Sequence, residues 1–202
     1  KSLGLALFAT PGDFTSLKKI HKLKMPAIKI SSGLLTNLPL IEEVSKKKVP
    51  IIISTGMAYE KEIDDAINVC KKNQRKIALL KCTSIYPAPM NTLNLKAIEK
   101  LKQKYNLPVG YSDHSLGIDA SVYAVALGAS IIEKHFTLDK KLAGADHGIS
   151  MEPRSFKEMC LKIERILKLL GSEKIKPNSY EIKIKNKFQR FVVAKNNILK
   201  NE

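Results

Sequence analysis

The sequence predicts an α/β fold of parallel strands, drawn as an incomplete (β/α)8 barrel, on three observations. Short apolar runs alternate with helical patterns along most of the 202 residues. Alternation of this regularity implies parallel strands joined by right-handed crossovers. Runs such as "PIIIS" are continuously apolar, as strands buried on both faces require. Polar residues recur at the C-terminal ends of these runs: Thr10, Ser32, Ser54, Ser84, Ser112 with His114, and Glu133 with His135. A barrel gathers all those ends around one site. An open doubly wound sheet also fits the alternation, but no G-x-G-x-x-G or Walker A sequence marks a nucleotide site in it.

Each unit can be read in order. "GLALFAT" is a strand, followed by the helix "FTSLKKIHKLK" with Leu17, Ile20 and Leu23 on one side. "PAIKISS" leads to "NLPLIEEVSKKK", "VPIIISTG" to "YEKEIDDAINVCKKN", and "KIALLKCTS" to "NLKAIEKLKQKYN". "LPVGYSDH" leads to "GIDASVYAVALG", and "ASIIEKHFT" to "PRSFKEMCLKIERILKLLG". For the last helix, Ser155 and Glu158 have the spacing of a capping box, and Gly171 stands at its end. About six units are present where a barrel has eight, so the chain is read as a barrel short of about two N-terminal units. Residues 1–171 form this partial barrel. The basic stretch 172–187, with Pro177, reads as a linker, and 188–202 as the start of a second domain carrying the strand-like "RFVVAK".

Composition narrows the function classes. The apolar share of 44% is that of an ordinary globular protein. No apolar run reaches the ~18 to 20 residues of a membrane helix, and the start "KSLGLALFATPGDF" lacks a signal-peptide pattern. Cys70, Cys82 and Cys160 have no paired spacing, which points to reduced thiols and a cytoplasmic setting. The net charge of +16 is the main deviation. Without a recognition motif or an aromatic-interleaved basic patch, it is assigned to solvated lysines rather than to nucleic-acid binding. A small anionic substrate gains from the same field.

The segment "GYSDHS" concentrates the chemistry. Its letters invite a Ser-His-Asp relay, but successive side chains of an extended segment point to opposite faces. Ser112 and His114 therefore share one face and Asp113 takes the other, so the three cannot form a relay. On the next strand Glu133 and His135 share a face by the same rule. Neighbouring parallel strands thus present His114 and His135 side by side, with Glu133 one layer below. Two imidazoles with water and oxygen ligands suit a divalent first-row metal with open positions. His21, in a lysine-rich helix, is read as solvated.

Lys29 lies inside the strand "AIKIS", where a buried ammonium needs a partner. That partner is either a carboxylate such as Glu133 or an anionic ligand supported by the hydroxyls of Thr10, Ser32, Ser54 and Ser112. In "ADHGISMEP", Asp146 and His147 are placed to reach over the site, while a turn role accounts for Asp146 equally well.

Taken together, "TNLPLIEEVSKKKVPIIISTGMA", "KCTSIYPAP", "LPVGYSDHSLGI", "ALGASIIEKHFTLDK" and "ADHGISMEP" resemble the sialic acid synthase family, over nearly the whole chain. The tail "FQRFVVAKNNILKNE" resembles the start of that family's antifreeze-like (SAF) C-terminal domain. The resemblance implies condensation of phosphoenolpyruvate with an N-acetylmannosamine-like sugar, with release of phosphate. It implies that His114 and His135 hold a manganese-type ion, with Mg2+ and Co2+ as other candidates. It further implies that Thr10, Lys29, Ser32, Ser54, Ser84, Tyr86 and Ser112 surround phosphoenolpyruvate, and that Glu133 and Asp146 contact the sugar. Lys29, Glu133 and Asp146 are the catalytic candidates. In the family the C-terminal domain of one subunit covers its partner's site, implying a homodimer. The chain departs from the family pattern at Leu34, where an acidic residue is common after "SG"; this bears on the sugar rather than on the reaction. Ser84 stands where some members have asparagine, Lys81 where histidine is frequent, and Ala145 where proline is frequent. The rival readings are a pyruvate-type metal-dependent aldolase on the same barrel, and a basic binding module or inactive fragment.

Overall fold

The computed structural model describes residues 3–74 and 76–201, in two compact units that divide between Leu170 and Gly171. In the first unit, strands β1 (Ile28–Ile30), β2 (Ile51–Ser54), β3 (Ile77–Cys82), β4 (Val109–Asp113) and β5 (Ile132–Lys134) alternate with helices. The helices are α1 (Phe14–Lys22), α2 (Leu38–Ser45), α3 (Glu60–Lys71), α4 (Ala97–Tyr105), α5 (Asp119–Ala126) and α6 (Pro153–Leu170). All strand pairs are parallel, and the order is β1-β2-β3-β4-β5. This order decides between the two architectures that alternation left open. A doubly wound sheet reverses direction at a switch point, whereas strands laid down in strict sequence are those of a half-barrel.

Alternation sorts each strand into two faces. Ile28, Ile30, Ile51, Ile53, Ile77, Leu79, Val109 and Tyr111 point outward and are buried beneath the helices. There they meet Leu40, Ile41 and Val44 of α2, Ala66, Ile67 and Cys70 of α3, and Ile98 of α4. Each fully buried isoleucine or leucine contributes about 1.5–3 kcal/mol. The inner face carries Lys29, Ser54, Cys82, Ser112 and Glu133. Register places Ser112 opposite both Cys82 and Glu133. Gly110 lets β4 approach β5: a Cβ there would lie 2.4 Å from the Ile131 carbonyl oxygen and 2.7 Å from Leu80 Cδ2.

Three local expectations are corrected here. "GLALFAT" is not a ladder strand; it meets the sheet only through the Ala9–Ile28 bridge, with Leu5 and Leu7 each 72% exposed. One backbone bond, Lys29 N–H to the Ala9 carbonyl, is too little to order the segment as β. Leu23 does not share the buried face of Leu17 and Ile20, because α1 ends at Lys22 and Leu23 is its exposed cap. Ser155 does not cap α6. The helix opens at Pro153, whose locked φ suits the first helical position, and the Glu152 carbonyl already accepts from Phe156 N–H at 2.9 Å. Gly171, at φ +57°, follows the helix as expected.

In the second unit, the stretch read as a linker contains helix α7 (Ser179–Phe188). Asn178 Oδ1 accepts from the Tyr180 and Glu181 amides at 2.9 and 3.0 Å, and the Glu181 carboxylate accepts from Asn178 N–H at 2.7 Å. This is a reciprocal cap of the N-x-x-E kind. "RFVVAK" forms no strand; Phe191, Val192 and Val193 are exposed.

Candidate active site

At the C-terminal ends of β1 to β5 opens a cavity of about 660 Å3. Lys29, Ser32, Ser54, Ser84, Tyr86, Ser112, His114, Glu133 and His135 all line it. These are nine of the sequence-nominated residues, delivered by five strands and the loops that follow them. Thr10 is exposed and lies outside the lining. Asp146 stands at the rim, its Oδ2 3.8 Å from His135 Nδ1. His147 turns aside and hydrogen-bonds Thr137 Oγ1 at 2.7 Å, and His21 is exposed on α1.

The floor is an ionic and hydroxyl cluster. Lys29 Nζ lies 3.2 Å from Glu133 Oε1, so the carboxylate partner considered for this lysine is present. Ser112 Oγ donates to the same Glu133 oxygen at 2.7 Å. Ser32 Oγ accepts from Gly56 N–H at 3.1 Å. Ser54 Oγ is buried without a hydrogen-bond partner among the described residues, and it faces the cavity. An unpaired buried hydroxyl costs free energy until a ligand bonds to it, so the floor is suited to accepting an anion.

The wall opposite is aromatic. Tyr86 stacks on His114 with ring centroids 4.1 Å apart, and His114 and His135 are 5.3 Å apart. The loop carrying Tyr86 is tied down by Ala88 N–H bonding the His114 carbonyl at 3.0 Å. His114 Nδ1 contacts the Thr83 carbonyl at 2.8 Å. A carbonyl oxygen only accepts, so Nδ1 carries a proton. Burial lowers the His114 pKa, but its bonds to Cys82 and the Thr83 carbonyl outweigh this and raise it above the ordinary histidine value. Burial and then the neighbouring His114 push His135 below the ordinary histidine value, favouring the neutral, ligating form. Among the described residues no three His, Cys, Asp or Glu side chains converge as a metal cage. The two imidazoles are nitrogen donors of the kind a divalent first-row ion takes alongside oxygen ligands.

Behind the histidines lies a buried ion pair. Asp113 and Lys134, 0% and 1% exposed, meet at 2.9 Å on the outer side of the β4–β5 ladder. Asp113 Oδ1 also accepts from the Ser115 amide and hydroxyl, and Oδ2 from Ser121 Oγ at 2.7 Å. Alternation separates the two roles: Ser112 and His114 face the cavity, while Asp113 between them anchors the strand end.

Sequence reasoning missed Cys82, which lines the cavity 3.8 Å from His114 Nδ1 and 3.8 Å from Ser84 Oγ. Burial alone would push its thiol up; hydrogen bonds from His114 and the nearby serines outweigh this and bring it down to about 7. The signal was available, since Cys82 is two residues before Ser84 on the same face of one extended segment. Leu34 does not line the cavity; it packs against the core.

Comparison with known proteins settles the family. The NeuB family model matches residues 1–175. The chain belongs to the NeuB family. It is 46% identical, over its whole length, to N,N'-diacetyllegionaminic acid synthase of Campylobacter jejuni, and spans 61% of that protein. It is 34% identical over 96% of its length to human N-acetylneuraminate-9-phosphate synthase, spanning 55% of it. A crystal structure of N-acetylneuraminic acid (sialic acid) synthetase from Leptospira borgpetersenii, in complex with citrate, superposes with a TM-score of 0.89 at 39% identity. That match covers 94% of this NeuB-family chain and 68% of the Leptospira chain. The chain thus spans about three fifths of the length of the curated relatives it matches.

Proposed function

We propose that this chain carries the reaction cavity of a nonulosonic acid synthase, which condenses phosphoenolpyruvate with a 2-acetamido sugar aldehyde and releases phosphate. The observation that carries this reading is the sharing of one cavity by Lys29, four serine hydroxyls and a facing pair of histidines. Lys29 and the hydroxyls of Ser32, Ser54, Ser84 and Ser112 are suited to the carboxylate and phosphate of phosphoenolpyruvate. A divalent ion on His114 and His135, Mn2+ foremost with Mg2+ and Co2+ as alternatives, would supply polarisation of the sugar carbonyl.

The protein's own groups then position and protonate. With the anion held on the floor, the C2=C3 electron pair of phosphoenolpyruvate is directed at the sugar's aldehyde carbon. A C–C bond forms while the carbonyl pair moves to oxygen, leaving an alkoxide. Water adds at C2 and gives a proton to Glu133, the carboxylate on the floor next to Lys29, which passes it to the alkoxide. Collapse of that centre breaks the C2–O bond, expels phosphate and leaves a 2-keto acid. Asp146 at the rim is assigned to the sugar. The relative's product bears two acetyl groups by name, which favours a diacetamido sugar over N-acetylmannosamine here.

The same proposal includes a homodimer and an SAF-type domain beginning at 188–202, the latter resting on the tail's sequence alone. A cytoplasmic location rests on the three free cysteines. No helix among the described residues is long and apolar enough to cross a membrane.

Phosphate release tests the reaction, measured with phosphoenolpyruvate and N-acetylmannosamine, its 6-phosphate, or a diacetamido-trideoxyhexose. Sugar-dependent release that stops with chelator supports it. Condensation of pyruvate without phosphate release would move the assignment to an aldolase. Bound-metal analysis of His135→Ala tests the ion independently of turnover: metal content equal to wild type removes the histidine pair from the assignment.

A further inference from the structure

A second cavity, of about 310 Å3, opens on the helix side of the sheet, where β3 meets α3 and α4. Ile63, Ala97 and Leu101 give it apolar walls. Its charge is mainly cationic, with Lys81, Lys100 and Lys104 set against one carboxylate, Glu60. Lys104 is already matched, 2.7 Å from Glu60 Oε1 and 2.8 Å from Asp64 Oδ1. Lys81 is not. Alternation turns it away from the active cavity, and its amine donates to neutral oxygens, the Cys82 carbonyl at 2.9 Å and Thr83 Oγ1 at 3.3 Å. Among the described residues neither Lys81 nor Lys100 enters an ion pair. Lys81 is half-buried, and burial pushes its pKa below the ordinary lysine value. A desolvated ammonium without a counter-charge is unfavourable, and an anion entering beside it removes that cost.

We propose that this cavity binds a small organic anion, its carboxylate or phosphate on Lys81 and Lys100 and its apolar body against Ile63, Ala97 and Leu101. The site is separate from the one that would hold phosphoenolpyruvate, but it shares a wall with it, since Met57 and Cys82 line both cavities. It also has a short route to the histidine pair. Thr83 accepts from Lys81 through its hydroxyl and from His114 Nδ1 through its carbonyl, the latter at 2.8 Å. An anion that draws the Lys81 amine off Thr83 therefore alters the residue that orients His114. The cavity is thus an effector site.

Benzoate, a carboxylate on an apolar ring, and inorganic phosphate, a charge without such a body, are the probes, titrated by calorimetry. Benzoate is expected to bind wild type and Lys29→Met alike, and Lys81→Met at least about tenfold more weakly, the size of a lost charge-assisted bond. Lys81→Arg should retain binding, and Ala97→Trp, which fills the cavity without touching a charge, should abolish it should Lys81→Met not fold. Unchanged affinity in both Lys81→Met and Ala97→Trp, loss in Lys29→Met instead, or no benzoate binding at millimolar concentration overturns the site. Phosphate binding as tight as benzoate overturns the apolar contribution. In Lys29→Met, benzoate should shift the His114 imidazole nitrogen resonances, and unshifted resonances at saturation overturn the link to the active cavity.

Discussion

At Gly56 a Cβ would fall 2.7 Å from the Ser32 hydroxyl and closer still to that of Ser84, so a methyl group there displaces two of the hydroxyls on the cavity floor. Gly56→Ala is expected to cost about 1–3 kcal/mol of stability, as overpacking does, and to raise the KM for phosphoenolpyruvate. Urea unfolding and phosphate release measure the two effects; an unchanged KM would show that the serines do not hold the anion. Lys29 carries a second residue-scale prediction. Its amine serves both Glu133 and any anion on the floor. Lys29→Met should raise the KM for phosphoenolpyruvate by about tenfold or more, and that for the sugar much less. Equal rises would reduce Lys29 to a structural partner of Glu133. Cys82 illustrates the limit of reading at this scale. Its strand face was legible, but its bond to His114 joins residues 32 positions apart, and local pattern carries no such pairing.

Among the elements, β4 and β5 show how one alternating pattern does two jobs. Inward residues make the site, and the outward residues Asp113 and Lys134 make a buried pair that fixes the two strand ends side by side. Removing one partner strands the other charge, so Asp113→Leu or Lys134→Met is expected to lose about 3–5 kcal/mol. The double replacement should lose less than the worse single one, because no unpaired charge remains. A double-mutant cycle by chemical denaturation checks this, and additive losses would show that the two charges are not coupled. Elements with strong periodicity and two-sided burial, such as "PIIIS" and "YEKEIDDAINVCKKN", formed where alternation placed them. "GLALFAT" did not, because a strand needs a ladder as well as a pattern, and it bridges the sheet at a single residue. The cap of α6 was misplaced for a related reason. Ser155 and Glu158 have the spacing of a box, but Pro153 had already set the helical φ two residues earlier.

For the whole molecule, the separation at Leu170–Gly171 has a direct consequence. Residues 171–178 are exposed throughout, and Lys174 is the site among them open to trypsin, since Lys176 precedes proline. Exposed connecting segments are cut first. Limited trypsin digestion should therefore cleave after Lys174 before any site in residues 3–170, as read by mass spectrometry. An earlier cut inside the strand–helix unit would contradict its compactness.

By itself the sequence determined the alternation of elements, the face of each strand on which its polar residues lie, and so the membership of most of the cavity. These follow from periods of 2 and 3.6 residues, which are local properties of the chain. Only the tertiary structure decided the strand order, and with it the choice of half-barrel over doubly wound sheet, because order depends on which strands pair. It also decided that Thr10 stays outside the cavity while Cys82 lies within it, that Lys29 is paired with Glu133, and that Lys81 lines a second cavity behind the first. Each of these depends on distances between residues far apart in the chain, which the closing of the fold alone sets.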